Sequence, residues 1–114
     1  MLSKSIVDTL LEFRLARDWA QFHTPRNLAA AISVEAGELL EKFVWASEDQ
    51  VRAIADDHRA AIKDEMADIA ILLTYLAYDL SIDIESAVQT KICDNAKKYP
   101  VERARGSNKK YSEL

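Results

Sequence analysis

A single cysteine, Cys93, stands in a chain of 114 residues, so no internal disulfide can form. That suits a reducing compartment. Glycine and proline occur twice each. A sandwich or barrel needs many more turn residues than that, so an all-α fold is expected. No apolar run approaches the ~20 residues that cross a bilayer, and the start of the chain has no cleavage-site pattern. A soluble cytoplasmic protein with no membrane partner follows as the expectation. Positive charge is in deficit too, with a formal net charge of -4, which argues against general binding to a nucleic-acid backbone.

What remains is rich in Ala, Leu, Ile, Glu and Lys, residues that favour helices. The length suits one domain. Ile6, Leu10, Leu11 and Phe13 mark a first helix over about 3–21. Thr24 followed by Pro25 is an N-cap with proline at the first helical position. It opens a second helix to about Ala46, with Leu28, Ile32, Leu39, Leu40 and Phe43 inward. Ser47-Glu48-Asp49-Gln50 reads as a capping box for a short helix through Val51 and Ile54. A third long helix spans about 58–80, with Ile62, Met66, Ile69, Leu72, Leu73 and Leu76 facing the core. Asp83 caps a fourth, which uses Ile84, Val88 and Ile92 and stops at Pro100. The expected protomer is four-helix bundle-like with one short extra helix. An all-α domain over 1–100 precedes a polar, basic and irregular tail over 101–114.

Two acid pairs interrupt the apolar faces: Glu35-x-x-Glu38 and Glu65-x-x-Asp68. Residues three apart share one face of a helix. At roughly 100° per residue, Glu35 and Glu65 fall inside the apolar arcs, with Glu38 and Asp68 at their edges. Solvated acids ordinarily lie opposite such arcs. Four converging carboxylates repel one another and cost desolvation energy if buried. A hard divalent cation answers both problems, Mg²⁺ first and Mn²⁺ second. Di-iron bundles instead place histidine three residues after glutamate, and neither His23 nor His58 has that spacing. Gly37 weakens helix two and leaves room for a ligand or a close helix neighbour. The pattern points to a metal-dependent enzyme acting on an anionic substrate, most simply a nucleoside triphosphate.

Several other residues are candidates on chemical grounds. Lys91, Asn95 and Lys98 share one face of the fourth helix and offer donors to phosphate oxygens. An ordinary solvated face is the plain alternative. Arg105, Lys109 and Lys110 lie in the tail, able to close over a triphosphate or to remain a free basic end. Trp19 and Trp45 are able to stack on a base, although tryptophans more often serve as core or interface. His23 can hydrogen-bond a base edge or serve as a turn residue. Arg26 opens helix two, whose N-terminal amides favour anions.

The acid signature on two helices resembles the all-α nucleoside triphosphate pyrophosphohydrolases of the MazG-like superfamily. Trp19, the run F-H-T-P-R-N-L from Phe22 and the run E-A-G-E-L-L-E-K-F-V-W from Glu35 resemble its dCTP pyrophosphatase branch. So do Lys91, Asn95, Tyr99-Pro100, Ala104-Arg105 and the closing residues 110–114. The resemblance implies Mg²⁺-dependent cleavage of the α–β phosphoanhydride of a dNTP, giving a monophosphate and pyrophosphate. Glu35, Glu38, Glu65 and Asp68 would be metal ligands, or Glu38 would orient or deprotonate the attacking water. It also implies base contacts from Trp19 and Trp45, and a homo-oligomer, either a dimer or a tetramer of dimers. One departure stands out. Members of this branch can carry tyrosine one turn after the aspartate, where this chain has Leu72, with Tyr75 following. dUTP, dATP or a broad range of NTPs is the alternative substrate set. A non-catalytic helical oligomer that binds nucleotide or protein is the alternative class.

Overall fold

A computed structural model describes residues 1–114. Every regular element is helical: α1 (Lys4–Ala16), α2 (Pro25–Glu41), α3 (Val51–Asp57), α4 (Arg59–Asp79), α5 (Ile84–Lys98) and α6 (Val101–Ala104), with 3-10 turns at Ala20–Phe22 and Tyr111–Glu113. Two compact units are present, Leu2–Ser81 and Ile82–Leu114.

The caps show why the helices of the first unit start where they do. Ser3 accepts the amide of Ile6 at 3.3 Å, and Thr24 accepts that of Asn27 at 3.2 Å. These satisfy N–H groups that have no partner within the helix. Asn27 itself donates to the Phe22 carbonyl at 3.0 Å, tying the turn to the helix it precedes.

Helix ends are shorter than the sequence implies. α1 stops at Ala16 rather than near Gln21, because Asp18 adopts a left-handed conformation with φ 50°. A short polar side chain tolerates that backbone, and Gln21 donates to the Asp18 carboxylate at 2.9 Å. The Trp19 amide then bonds the Arg14 carbonyl at 3.1 Å, which reverses the chain. α2 ends at Glu41 rather than Ala46. The run Phe43-Val44-Trp45 is aromatic and β-branched, with weak helix propensity. Tight turns replace the helix there, with Phe43 N–H bonded to Leu40 and Ala46 N–H to Phe43. The Ser47 box forms one half of its pattern: the Ser47 amide donates to Gln50 Oε1 at 3.2 Å, and α3 begins just after.

α2 and α4 pack against each other along much of their length and form the spine of this unit. Its core is small. Leu28 on α2 is 1% exposed, and Tyr75, Thr74 and Arg14 are the other buried residues. Arg14 on α1 grips Asp79 on α4 through two hydrogen bonds of 2.9 and 2.7 Å. The Tyr75 hydroxyl donates to the Leu10 carbonyl at 2.8 Å. The Arg14 guanidinium also lies 4.7 Å from the Tyr75 ring centre. So α1 is held to α4 by a polar clasp as much as by apolar contact. Leu40 and Met66, expected to face the core, are exposed instead, because a two-helix spine covers only one side of each helix. Gly37 likewise faces open space, with nothing near the position a Cβ would take.

In the second unit, Asp83 caps α5 by accepting the Ser86 amide at 3.2 Å. Val88 and Ile92, expected inward, are exposed. The stretch after Pro100 is not wholly irregular. Pro100 ends α5 yet its carbonyl accepts the Ala104 amide at 2.9 Å, starting the single turn of α6. The chain leaves that turn through Gly106 at φ 72°. The Tyr99 and Tyr111 rings meet edge to face at 6.1 Å, with the Lys98 ammonium 5.0 Å from the Tyr111 ring.

Candidate active site

Three of the four acids expected to converge lie close together, and Asp68 falls outside that group. Glu35 and Glu38 on α2 and Glu65 on α4 each offer a carboxylate oxygen, all within 4.8 Å of one another. The cause is the pairing of α2 with α4, which faces the two acid-bearing arcs toward each other. Glu65 is largely enclosed, its side chain 16% exposed. Its Oε2 is buried without a hydrogen-bond partner. Lys42 approaches its other oxygen at 3.8 Å. Glu38 is the open member of the three.

Such crowding shows in proton affinity. A hydrogen bond shared with Glu65, then partial burial and the nearby charge of Glu38, push the Glu35 carboxyl up to about 7. Like charges at this distance cannot all ionise without compensation. Three hard oxygen donors, one of them a buried orphan, are the donor set that Mg²⁺ or Mn²⁺ takes. The residues present therefore fit a divalent cation.

Beside the acids lies a cavity of about 390 Å³, lined by Leu10, Phe13, Trp19, His23, Glu35, Asp68, Ile71, Leu72 and Tyr75. Its size falls in the range of small-molecule sites. One wall is aromatic. Phe13 and Trp19 meet edge to face at 5.7 Å, and the Arg17 guanidinium caps the Phe13 ring at 3.5 Å. His23 lies 5.2 Å from the Tyr75 ring. Its Nδ1 is buried with no partner. Burial, and then the positive charge of Arg14, lower its pKa from the usual 6.5. The cavity thus joins apolar walls to a carboxylate edge at Glu35 and Asp68.

Of the residues singled out from the sequence, Glu35, Glu38 and Glu65 form the close triad. Asp68 sits on the cavity rim that Glu35 also lines, and Trp19 and His23 line the same space. Arg26 and Trp45 stand exposed outside that lining, Trp45 at 92%. Lys91, Asn95 and Lys98 lie on α5, and Arg105, Lys109 and Lys110 follow it; all are exposed. Several contributors went unread. Phe13 and Leu10 passed as ordinary core of α1. Lys42 had a signal, since it stands four residues after Glu38 on the acid-bearing face.

The MazG-like family profile matches residues 30–114, three-quarters of the chain. The chain belongs to the MazG-like family. The stretch matched includes every member of the acid triad. Among curated relatives, the chain is 43% identical over 105 residues to dCTP pyrophosphatase 1 of Bos taurus and to that of Mus musculus. It is 41% identical to that of Homo sapiens. Each alignment covers 90% of this chain but 62% of the relative, so the chain spans under two thirds of their length. Among solved structures, a pyrophosphatase from Archaeoglobus fulgidus superposes with a TM-score of 0.83 at 39% identity, covering 85% of this chain and 91% of that one.

Proposed function

We propose that this MazG-like protein is a divalent-metal-dependent nucleotide pyrophosphohydrolase that converts dCTP, or a modified dCTP, to its monophosphate and pyrophosphate. The observation that carries this reading is the acid triad beside an aromatic cavity: three carboxylates from two helices within 4.8 Å, one with a buried, unpartnered oxygen. The relatives named dCTP pyrophosphatase support the reaction and the base.

Glu35, Glu38 and Glu65 would hold the metal, with Asp68 on the rim as a fourth ligand. When bound, Mg²⁺ would neutralise phosphate oxygens and stabilise charge on the leaving pyrophosphate. Glu38, the open member, is the group we assign to orienting or deprotonating the attacking water. The Glu35 carboxyl, raised to about 7 by its acid neighbours, would give up its proton on holding a cation. Trp19 supplies a stacking surface within the cavity. His23, kept neutral by burial and by Arg14, offers its unpartnered nitrogen to a base edge. Arg26, Lys91, Asn95 and Lys98 are assigned to the triphosphate, joined by Arg105, Lys109 and Lys110 from this or a neighbouring subunit, and Trp45 to the base.

A homo-oligomer, dimer or tetramer, completes the reading. Leu28 and Tyr75 are the only buried hydrophobic residues. Val34, Leu40, Val44, Trp45 and Met66 stand exposed on or just beyond the spine helices, an apolar area that a second subunit would cover.

The test is an assay of the purified protein with Mg²⁺ and each of dCTP, dUTP and dATP, measuring pyrophosphate and phosphate separately. Pyrophosphate release, highest with dCTP, is expected. Glu65→Gln should lower it by at least about 10³-fold, since metal contributions are worth several kcal/mol. Release of single phosphates, or full activity in that variant, would remove the proposal.

A further inference from the structure

The acid triad has a cation of its own. Lys42 stands four residues after Glu38 and seven after Glu35, so all three share one face of the helix path. Its Nζ reaches across to α4 and lies 3.8 Å from Glu65 Oε1. It also donates to the Glu38 carbonyl at 3.3 Å, which anchors it at the C-terminal end of α2, where helices favour positive charge. The Lys42 side chain is 19% exposed. Its stem is therefore largely covered, which carries the ammonium to the acid cluster. No other basic group comes within ion-pair distance of the three acids.

We propose that Lys42 is a resident cation of the acid cluster, holding Glu65 in place in the metal-free protein and competing with an incoming divalent ion for it. This rests on the reading of the triad as a metal site. Two features set the balance. The 3.8 Å separation is longer than the 2.7–2.9 Å typical of a tight charge-assisted hydrogen bond, so the pair is loose enough to yield. Glu65 Oε2 receives no donor, so Lys42 faces one oxygen across the ion pair and leaves the other for a ligand. One ammonium against three carboxylates also leaves the cluster short of positive charge. The lysine therefore lessens repulsion without filling the site. Metal affinity is then set lower than the carboxylates alone would give, in exchange for a preformed site.

A lysine that only fills space, and a lysine that aids metal binding, make different predictions from a competitor. The parent protein and Lys42→Met are compared without nucleotide, by Mn²⁺ titration followed by electron paramagnetic resonance or calorimetry, and by thermal unfolding in chelator. Methionine keeps the apolar stem and removes the charge; Lys42→Gln serves if it impairs folding, as judged by circular dichroism. The proposal expects opposite signs. Mn²⁺ should bind the variant about three- to five-fold more tightly, the scale of losing one partly screened ion pair. The metal-free variant should melt about 3 °C lower. Lys42→Arg should restore both values toward the parent. Unchanged or weaker Mn²⁺ binding in Lys42→Met overturns the proposal, as does an unchanged chelated melting temperature. If the parent binds no Mn²⁺ even at millimolar concentration, the metal-site reading itself falls, and this one with it.

Discussion

The acid cluster draws its three carboxylates from two paired helices, whereas the cavity beside it takes its walls from α1, the turn after it, α2 and α4. Glu35 belongs to both. The cluster is fixed by one helix–helix contact, so its geometry needs only the register of α2 against α4. The cavity needs α1 docked as well, and that docking rests on the Arg14–Asp79 pair and the Tyr75 hydroxyl. Charge placement and pocket shape are therefore separable properties of this fold, and variants can perturb one without the other.

The largest stability effect is expected at the clasp. Arg14→Met leaves the partly buried Asp79 carboxylate unpaired and should cost about 3 kcal/mol in urea unfolding. If the two regions are separable, Mn²⁺ binding by the triad should survive where the protein stays folded. Loss of metal binding in step with stability would break the comparison. Next comes Trp19→Ala, which removes the stacking surface of the cavity but no acid. Its KM should rise about ten-fold with kcat nearly unchanged, since a base stack is worth 1–3 kcal/mol of ground-state binding. An equal fall in kcat would instead tie Trp19 to the chemistry.

These variants also mark what the sequence made readable. Glu35 and Glu65 were visible because a carboxylate inside an apolar arc violates the expected pattern, and spacing alone then places both on facing stripes. Thr24-Pro25 and Asp83 were visible because caps are local chemistry. Phe13, Leu10 and Ile71 were not legible as cavity walls, since an apolar residue obeys the same pattern whether it packs a core or lines a hollow. Arg14 was missed for the opposite reason: a lone arginine on an amphipathic helix reads as solvated, and only its partner 65 residues away buries it. The ends of α1 and α2 were overrun because the left-handed turn at Asp18 and the tight turns at 43–46 carry no glycine or proline to announce them.

A smaller effect tests the acid-bearing helix itself. Gly37 faces open space in the single chain, so Gly37→Ala should stabilise α2 by up to about 1 kcal/mol. Destabilisation that depends on protein concentration would mean that a second subunit packs closely over this point. The smallest expected effect concerns pH. His23 has its pKa lowered from 6.5 by burial and by Arg14. Its contribution is therefore complete above 6.5 and lost as pH falls through 6.5 toward the lower folded value. Glu35, raised from 4.5 to about 7, works the other way: its contribution is complete below 4.5 and is lost as pH rises to 7 in the metal-free protein. In urea unfolding with chelator present, the stability advantage of the parent over His23→Gln should be larger at pH 7.5 than at pH 5. An advantage that grows toward acid would reverse the assigned sign.

The two tryptophans occupy contrasting surroundings, and this makes the protein its own optical reporter. Trp45 is almost entirely in water at 92% exposure, while Trp19 stands against Phe13 and Arg17 at the cavity wall. An indole in water emits at long wavelength and is readily quenched by iodide. A blue shift on raising protein concentration would then register cover arriving over Trp45, and quenching by nucleotide with Trp45 replaced would register occupancy beside Trp19.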